Sequence, residues 1–106
     1  MGSWLNMEKF ETLSVQDNSD DLQFELWVDG HLAKIDYKEA KGKIYLIHTE
    51  VAPELKGQGV ASVLVRKTLE LLKDRGRPIM PFCPYVKAYI IRHPEWKEIV
   101  HSSFKF

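Results

Sequence analysis

The sequence predicts a mixed α+β fold: an antiparallel meander, then a glycine loop opening a helix, a short strand and a second helix. Three observations carry this prediction. Between Leu22 and Val51, apolar and polar residues alternate near the strand period of two, broken by turn-forming segments. From Val60 onward the apolar spacing becomes helical. Gly57-Gln58-Gly59 lies at the changeover.

Taken in order, Leu13 to Val15 is expected as a short first strand and Gln16 to Asp21 as a polar turn. Leu22 to Val28 alternates except at Trp27, which falls on either the packed or an exposed sheet face. Asp29-Gly30 then supplies the positive φ of a tight hairpin, and Leu32 to Tyr37 returns. Lys38 to Gly42 reads as the second turn. Ile44 to Val51 is the strongest strand, rich in β-branched and aromatic residues. Its near-continuous apolar start predicts a central strand covered on both faces. Beyond the loop, Val60, Val63, Leu64, Thr68, Leu71 and Leu72 recur at helical spacing as far as Arg75, with Gly76 as the stop. Arg66, Lys67, Lys73, Asp74 and Arg75 form its solvated, mixed-charge face. Ile79 to Phe82 is a short strand, and Pro81 predicts an edge or an interrupted ladder there. Pro84 and Pro94 bracket a second helix. From Glu95 one short helical turn and a loose tail are expected. Trp4 and Trp96 read as packing residues.

The 106 residues are expected to form one domain, with residues 1–8 a flexible or tag-derived terminus. Gly2-Ser3 suits a cloning remnant with Met7 as the natural start. A myristoylation pattern needs Ser or Thr where Asn6 stands. Apolar residues at 44% and charged residues at 28% exclude wholesale disorder. Fifteen basic residues balance fifteen acidic ones, which argues against a nucleic-acid partner. One cysteine excludes an internal disulfide and points to a reducing, cytoplasmic compartment. No apolar run approaches the ~20 residues of a membrane span, so no membrane association is expected. One cysteine without a close histidine pair predicts no metal site, and no Gly-x-Ser-x-Gly elbow is present.

Lys56-Gly57-Gln58-Gly59-Val60-Ala61 sits between the strongest strand and the long helix. Glycines there allow close backbone approach, and the first helical N–H groups have no internal partner. Together with the helix dipole they make an anion site. The alternative is a plain strand-to-helix turn. Other phosphate motifs fail: there is no Gly-x-x-x-x-Gly-Lys, and the dinucleotide fingerprint lacks its third glycine at Ser62.

These residues resemble the acetyl-coenzyme A signature of the GNAT superfamily of N-acetyltransferases, Arg/Gln-x-x-Gly-x-Gly/Ala between a strand and a long helix. Lys56 replaces the usual Arg or Gln, which leaves the backbone cradle intact and changes the side chain near the phosphates. His48-Thr49-Glu50-Val51 before the loop, with Cys83-Pro84-Tyr85-Val86 and His93-Pro94-Glu95 after it, resembles a subfamily of minimal GNAT-like proteins. The resemblance runs from about Leu22 to Trp96. It implies a GNAT-like fold with acetyl-CoA, as co-substrate, wedged where two strands splay apart. Val51 and the backbone of Lys56, Gly57, Gln58, Gly59, Val60 and Ala61 would hold its pantetheine and pyrophosphate. The second helix, around Tyr85, Lys87 and Tyr89, would flank the other side. Full-length members wall the acceptor with an N-terminal helical region and later strands, so an open acceptor side is expected here.

Cys83 is placed beside the N-cap of the second helix, where the dipole favours a thiolate, with Lys87 about one turn on. Three readings stay open: a nucleophile that accepts the acetyl group, a residue lining the thiol end of the co-substrate, or an inert core thiol. His48 is a candidate proton acceptor from an attacking amine or from Cys83, or a solvated strand residue. Glu50 shares its face and orients it, acts as a second base, or is merely solvated. His31, His93 and His101 read respectively as a turn residue, a helix end and a tail residue.

The expected function is therefore acetyl transfer from acetyl-CoA to a primary amine: a protein lysine, an N-terminus or a small amine. A non-catalytic acyl-CoA sensor and a protein-interaction domain using an exposed sheet face are the alternatives.

Overall fold

A computed structural model describes residues 10–106. The expectations for residues 1–8 and Trp4 lie outside them. Five strands form one sheet in sequence order: β1 (Gln16–Asn18), β2 (Gln23–Val28), β3 (His31–Ala40), β4 (Lys43–Val51) and β5 (Ile79–Pro81). The first four pair antiparallel as a meander, and β5 lies parallel to β4. Helix α1 (Val60–Asp74) makes the crossover between those two parallel strands, and α2 (Pro84–Arg92) follows β5. The fold is mixed α+β, as the alternation and its switch to helical spacing predict.

The inward positions of the meander, Phe24, Leu26, Ala33, Ile35, Ile44 and Leu46, are buried in one cluster. The α1 stripe of Val60, Leu64, Leu69 and Leu72 and the α2 residues Val86 and Ile90 join it. Phe24 stacks on Tyr37 with ring centroids 4.4 Å apart. The Tyr37 hydroxyl donates to Asp17 Oδ1 at 2.6 Å, and Arg75 holds the other Asp17 oxygen at 2.8 Å. Burial, then the Asp17 carboxylate, drives the Tyr37 phenol well above its ordinary range. Part of the mixed-charge α1 surface is thus tied down, since Arg66 likewise pairs with Glu11 and Glu70.

Several sequence expectations are corrected. The first strand is Gln16–Asn18 and not Leu13 to Val15. Leu13 and Val15 pack against the core as partly buried side chains, while the polar residues after them pair with Gln23 to Glu25. β3 runs on to Ala40, so the second turn shrinks to Lys41-Gly42, both at positive φ. β4 is central, yet it is covered on one face only. Ile47, His48 and Glu50 are exposed, and β5 pairs with its first half alone. Trp27 lies on the open face and is 47% exposed. The tail is ordered: Pro94–Ile99 form a 3₁₀ segment, Val100 bridges to Ile79, and the His101 amide donates to the Ile79 carbonyl at 2.9 Å.

Candidate functional site

β4 and β5 stay paired as far as Leu46 and Pro81. The Cys83 amide then donates to the Leu46 carbonyl at 2.8 Å, and the chain turns into α2. Beyond that point β4 continues to Val51 paired with β3 alone, leaving a gap on its β5 side. A 3₁₀ turn at Pro53–Leu55 and the glycine loop close the far end of the gap. The result is an open cleft of about 480 Å³, within the usual range for ligand sites.

A bulge decides what faces the cleft. Asp36 pairs with His48 while its neighbour Tyr37 pairs with Leu46, so Ile47 is an extra residue in β4. Strict alternation from the buried Ile44 and Leu46 would have turned His48 and Glu50 inward. The bulge places Thr49 and Val51 on that face instead and leaves His48 and Glu50 outward at the cleft rim. His48 Nε2 lies 3.7 Å from Glu50 Oε1, with both side chains more than half exposed. The expectation that these two share a face is met, on the solvent side of the sheet.

The loop is built for close backbone approach. Gly57 and Gly59 have φ of +81° and +78°, and a Cβ at either position would meet nothing within 4 Å. Gly59 is the N-cap of α1 and offers no side-chain cap, and no acidic residue stands in the first turn. The first intrahelical bond runs from the Val63 amide to the Gly59 carbonyl at 3.3 Å. The amides of Val60, Ala61 and Ser62 precede it and face out of the helix end. Among the described residues, neither a capping side chain nor a first-turn acid offsets the positive end of the dipole.

Of the residues singled out from sequence, His48, Glu50 and Val51 line the cleft on the β4 side. Lys56, Gly57, Gly59, Val60 and Ala61 line it at the loop, and Tyr85 faces them from α2. Gln58 folds back, its Nε2 donating to the Glu54 carbonyl at 3.0 Å. Tyr89 is on the buried side of α2 with its ring tilted against His93, centroids 4.4 Å apart, and burial pushes its phenol up. Lys87 reaches over the Phe104 ring at 6.0 Å. These three are outside the cleft wall. Cys83 is the N-cap of α2, 2% exposed and also outside the wall, with its Sγ 3.1 Å from Thr49 Oγ1.

Two lining residues escaped the sequence reading. Thr49 sat inside a recognised segment, but its facing depends on the bulge. Leu55 is an apolar residue in a polar loop, and that alone signalled a packed position; it is 3% exposed. Of the other histidines, His31 pairs with Glu54 at 3.6 Å and His93 ends α2.

The arrangement suits an elongated ligand. A polyanionic end fits the glycine loop and helix terminus, and an apolar-walled middle fits along Val51, Leu55 and Val60. Among the described residues, no helix is long and apolar enough to cross a membrane. A family model described as GCN5-related N-acetyl-transferase matches residues 23–99, from the start of β2 to the end of the 3₁₀ segment after α2.

Proposed function

The chain belongs to the GCN5-related N-acetyl-transferase family, and from that premise we propose that it binds acetyl-CoA in the cleft and transfers the acetyl group to a primary amine. One observation carries this reading: a helix N-terminus with neither a capping side chain nor a first-turn acid, and two positive-φ glycines, sit at one end of a cleft that begins where parallel strands separate. When bound, acetyl-CoA supplies an activated acyl thioester.

The chain's own residues bind and orient. The amides at the start of α1, Val60 and Ala61 among them, receive the pyrophosphate, with Lys56 adding positive charge beside them. Val51 and Leu55 wall the pantetheine arm, and Tyr85 closes the α2 side. Lys87 and Tyr89 act from behind that wall, one at the surface and one as packing. His48 accepts the proton of the attacking amine, and Glu50, 3.7 Å away, orients its ring. Cys83 acts at the sulfur end of the cleft, as nucleophile or as a contact behind it. A protein lysine, an N-terminus and a small amine are the acceptors to compare, in a reducing cytoplasmic setting that suits the lone thiol.

The test is incubation of the purified protein with acetyl-CoA and each acceptor class, following CoA release and acceptor mass together. A gain of one acetyl group on the acceptor, matched to CoA release, is expected. Acetyl-CoA binding without any acetylated acceptor would favour the sensor reading.

A further inference from the structure

Thr49 is the one residue of β4 that joins the cleft to the buried thiol. It lines the cleft wall, and its Oγ1 lies 3.1 Å from Cys83 Sγ. It faces inward because Ile47 bulges. Its β-branched side chain has few rotamers open to it. Cys83 is equally fixed: its amide is bonded to the Leu46 carbonyl and its carbonyl accepts from the Lys87 amide at 2.9 Å. The pair therefore sits at the vertex where β4 and the chain after β5 part.

Resting on the acetyl-CoA reading above, we propose that the Thr49 hydroxyl is the donor that receives the departing sulfur, and that Cys83 is a positioning residue and not the nucleophile. The 3.1 Å contact can run in either direction; in the productive one, the Cys83 S–H donates to Thr49 Oγ1 and the Thr49 O–H is left to donate into the cleft. Cys83 lies behind Thr49 at 2% exposure, so an acyl carbon in the cleft meets the hydroxyl before the thiol. In the step, the neutral acceptor nitrogen attacks the carbonyl carbon and the N–C bond forms. The C–S bond breaks and its electron pair leaves on sulfur as a thiolate, to which the Thr49 O–H donates. The proton of the new ammonium centre passes to His48. A donor placed where charge develops acts on kcat more than on binding of the starting thioester.

The test compares binding and turnover. By calorimetry at pH 8, the wild type binds CoA more tightly than desulfo-CoA, which lacks the thiol. Thr49→Val binds desulfo-CoA as the wild type does and loses the preference for CoA; Thr49→Ser keeps it. In turnover, Thr49→Val lowers kcat by about 100- to 1000-fold with an unchanged KM for acetyl-CoA, on the scale of removing one transition-state donor. Cys83→Ala loses part of kcat with KM unchanged, the conservative Cys83→Ser recovers part of that loss, and intact mass finds no acetyl group on Cys83. Thermal unfolding establishes that each variant is folded. A Thr49→Val protein with full CoA preference and full kcat, or acetyl accumulating on Cys83, overturns the inference alone. Failure of the wild type to bind either CoA or desulfo-CoA overturns the acetyl-CoA reading and the inference with it.

Discussion

The amide of Cys83 meets the carbonyl of Leu46 at 2.8 Å, one step past the point where β4 and β5 stop pairing. That bond anchors the vertex of the cleft. On one side β4 runs on toward the glycine loop, and on the other Pro84 starts α2. The same bond fixes Cys83 with its thiol turned toward Thr49 and away from solvent.

Burial of that thiol predicts its chemistry. Iodoacetamide should label Cys83 in the native protein at least about 100-fold more slowly than in urea, because labelling then requires local opening. Stopped-time labelling followed by intact mass measures it. Equal rates in both states would put the thiol within reach of the cleft and revive a direct role for it.

Gly59 separates conformation from ligand contact. Gly59→Ala adds a Cβ that meets nothing within 4 Å, so its cost is the left-handed backbone at φ +78°, about 1–2 kcal/mol. Gly59→Asp carries that strain and also places a negative charge in the cradle. Its acetyl-CoA affinity should fall at least about tenfold below that of Gly59→Ala, equivalent to about 1.4 kcal/mol. Thermal unfolding and calorimetry on the pair distinguish the two effects.

The meander of β2, β3 and β4 and the loop that opens α1 were legible because alternation, turn dipeptides and glycine spacing are local signals. The cleft's loop side followed from the same signals. What was not legible depended on pairing. Gln16 to Asn18 look like a turn until β2 offers them partners. Ile47 looks like one more apolar strand residue, yet its bulge decides that Thr49 faces the cleft and His48 the solvent. The burial of Tyr89 and the turning away of Lys87 toward Phe104 likewise depend on how α2 and the tail dock.

Glu25 predicts an acid limb of stability. It is buried and accepts from Gln23 Nε2 at 2.5 Å, Asn18 Nδ2 at 2.8 Å and Trp27 Nε1 at 3.1 Å. These bonds, the one from Gln23 foremost, hold its carboxyl below the ordinary 4.5. A carboxyl lowered on folding stabilises the protein above its unfolded value and ceases to do so as pH falls through the folded value. Stability should therefore drop as pH falls below 4.5. Glu25→Gln should be less stable at pH 7, with the gap from the wild type narrowing toward pH 3 in urea titrations.

Thr68 offers a gain. It is fully buried in α1, and its Oγ1 has no hydrogen-bond partner among the described residues. Thr68→Val keeps the shape and removes the stranded hydroxyl, so it should stabilise by about 1 kcal/mol. For a domain of this size that is roughly a 4 °C rise in Tm. An unchanged or lower Tm would mean that the hydroxyl is satisfied in solution.

Calorimetric titration of the wild-type protein with acetyl-CoA, beside adenosine diphosphate, tests the central claim most directly. Saturable one-site binding to acetyl-CoA, weaker binding of adenosine diphosphate and loss of both in Gly59→Asp are the predicted results. No heat of binding at millimolar acetyl-CoA would contradict the account and reduce Gly57-Gln58-Gly59 to a turn between a strand and a helix.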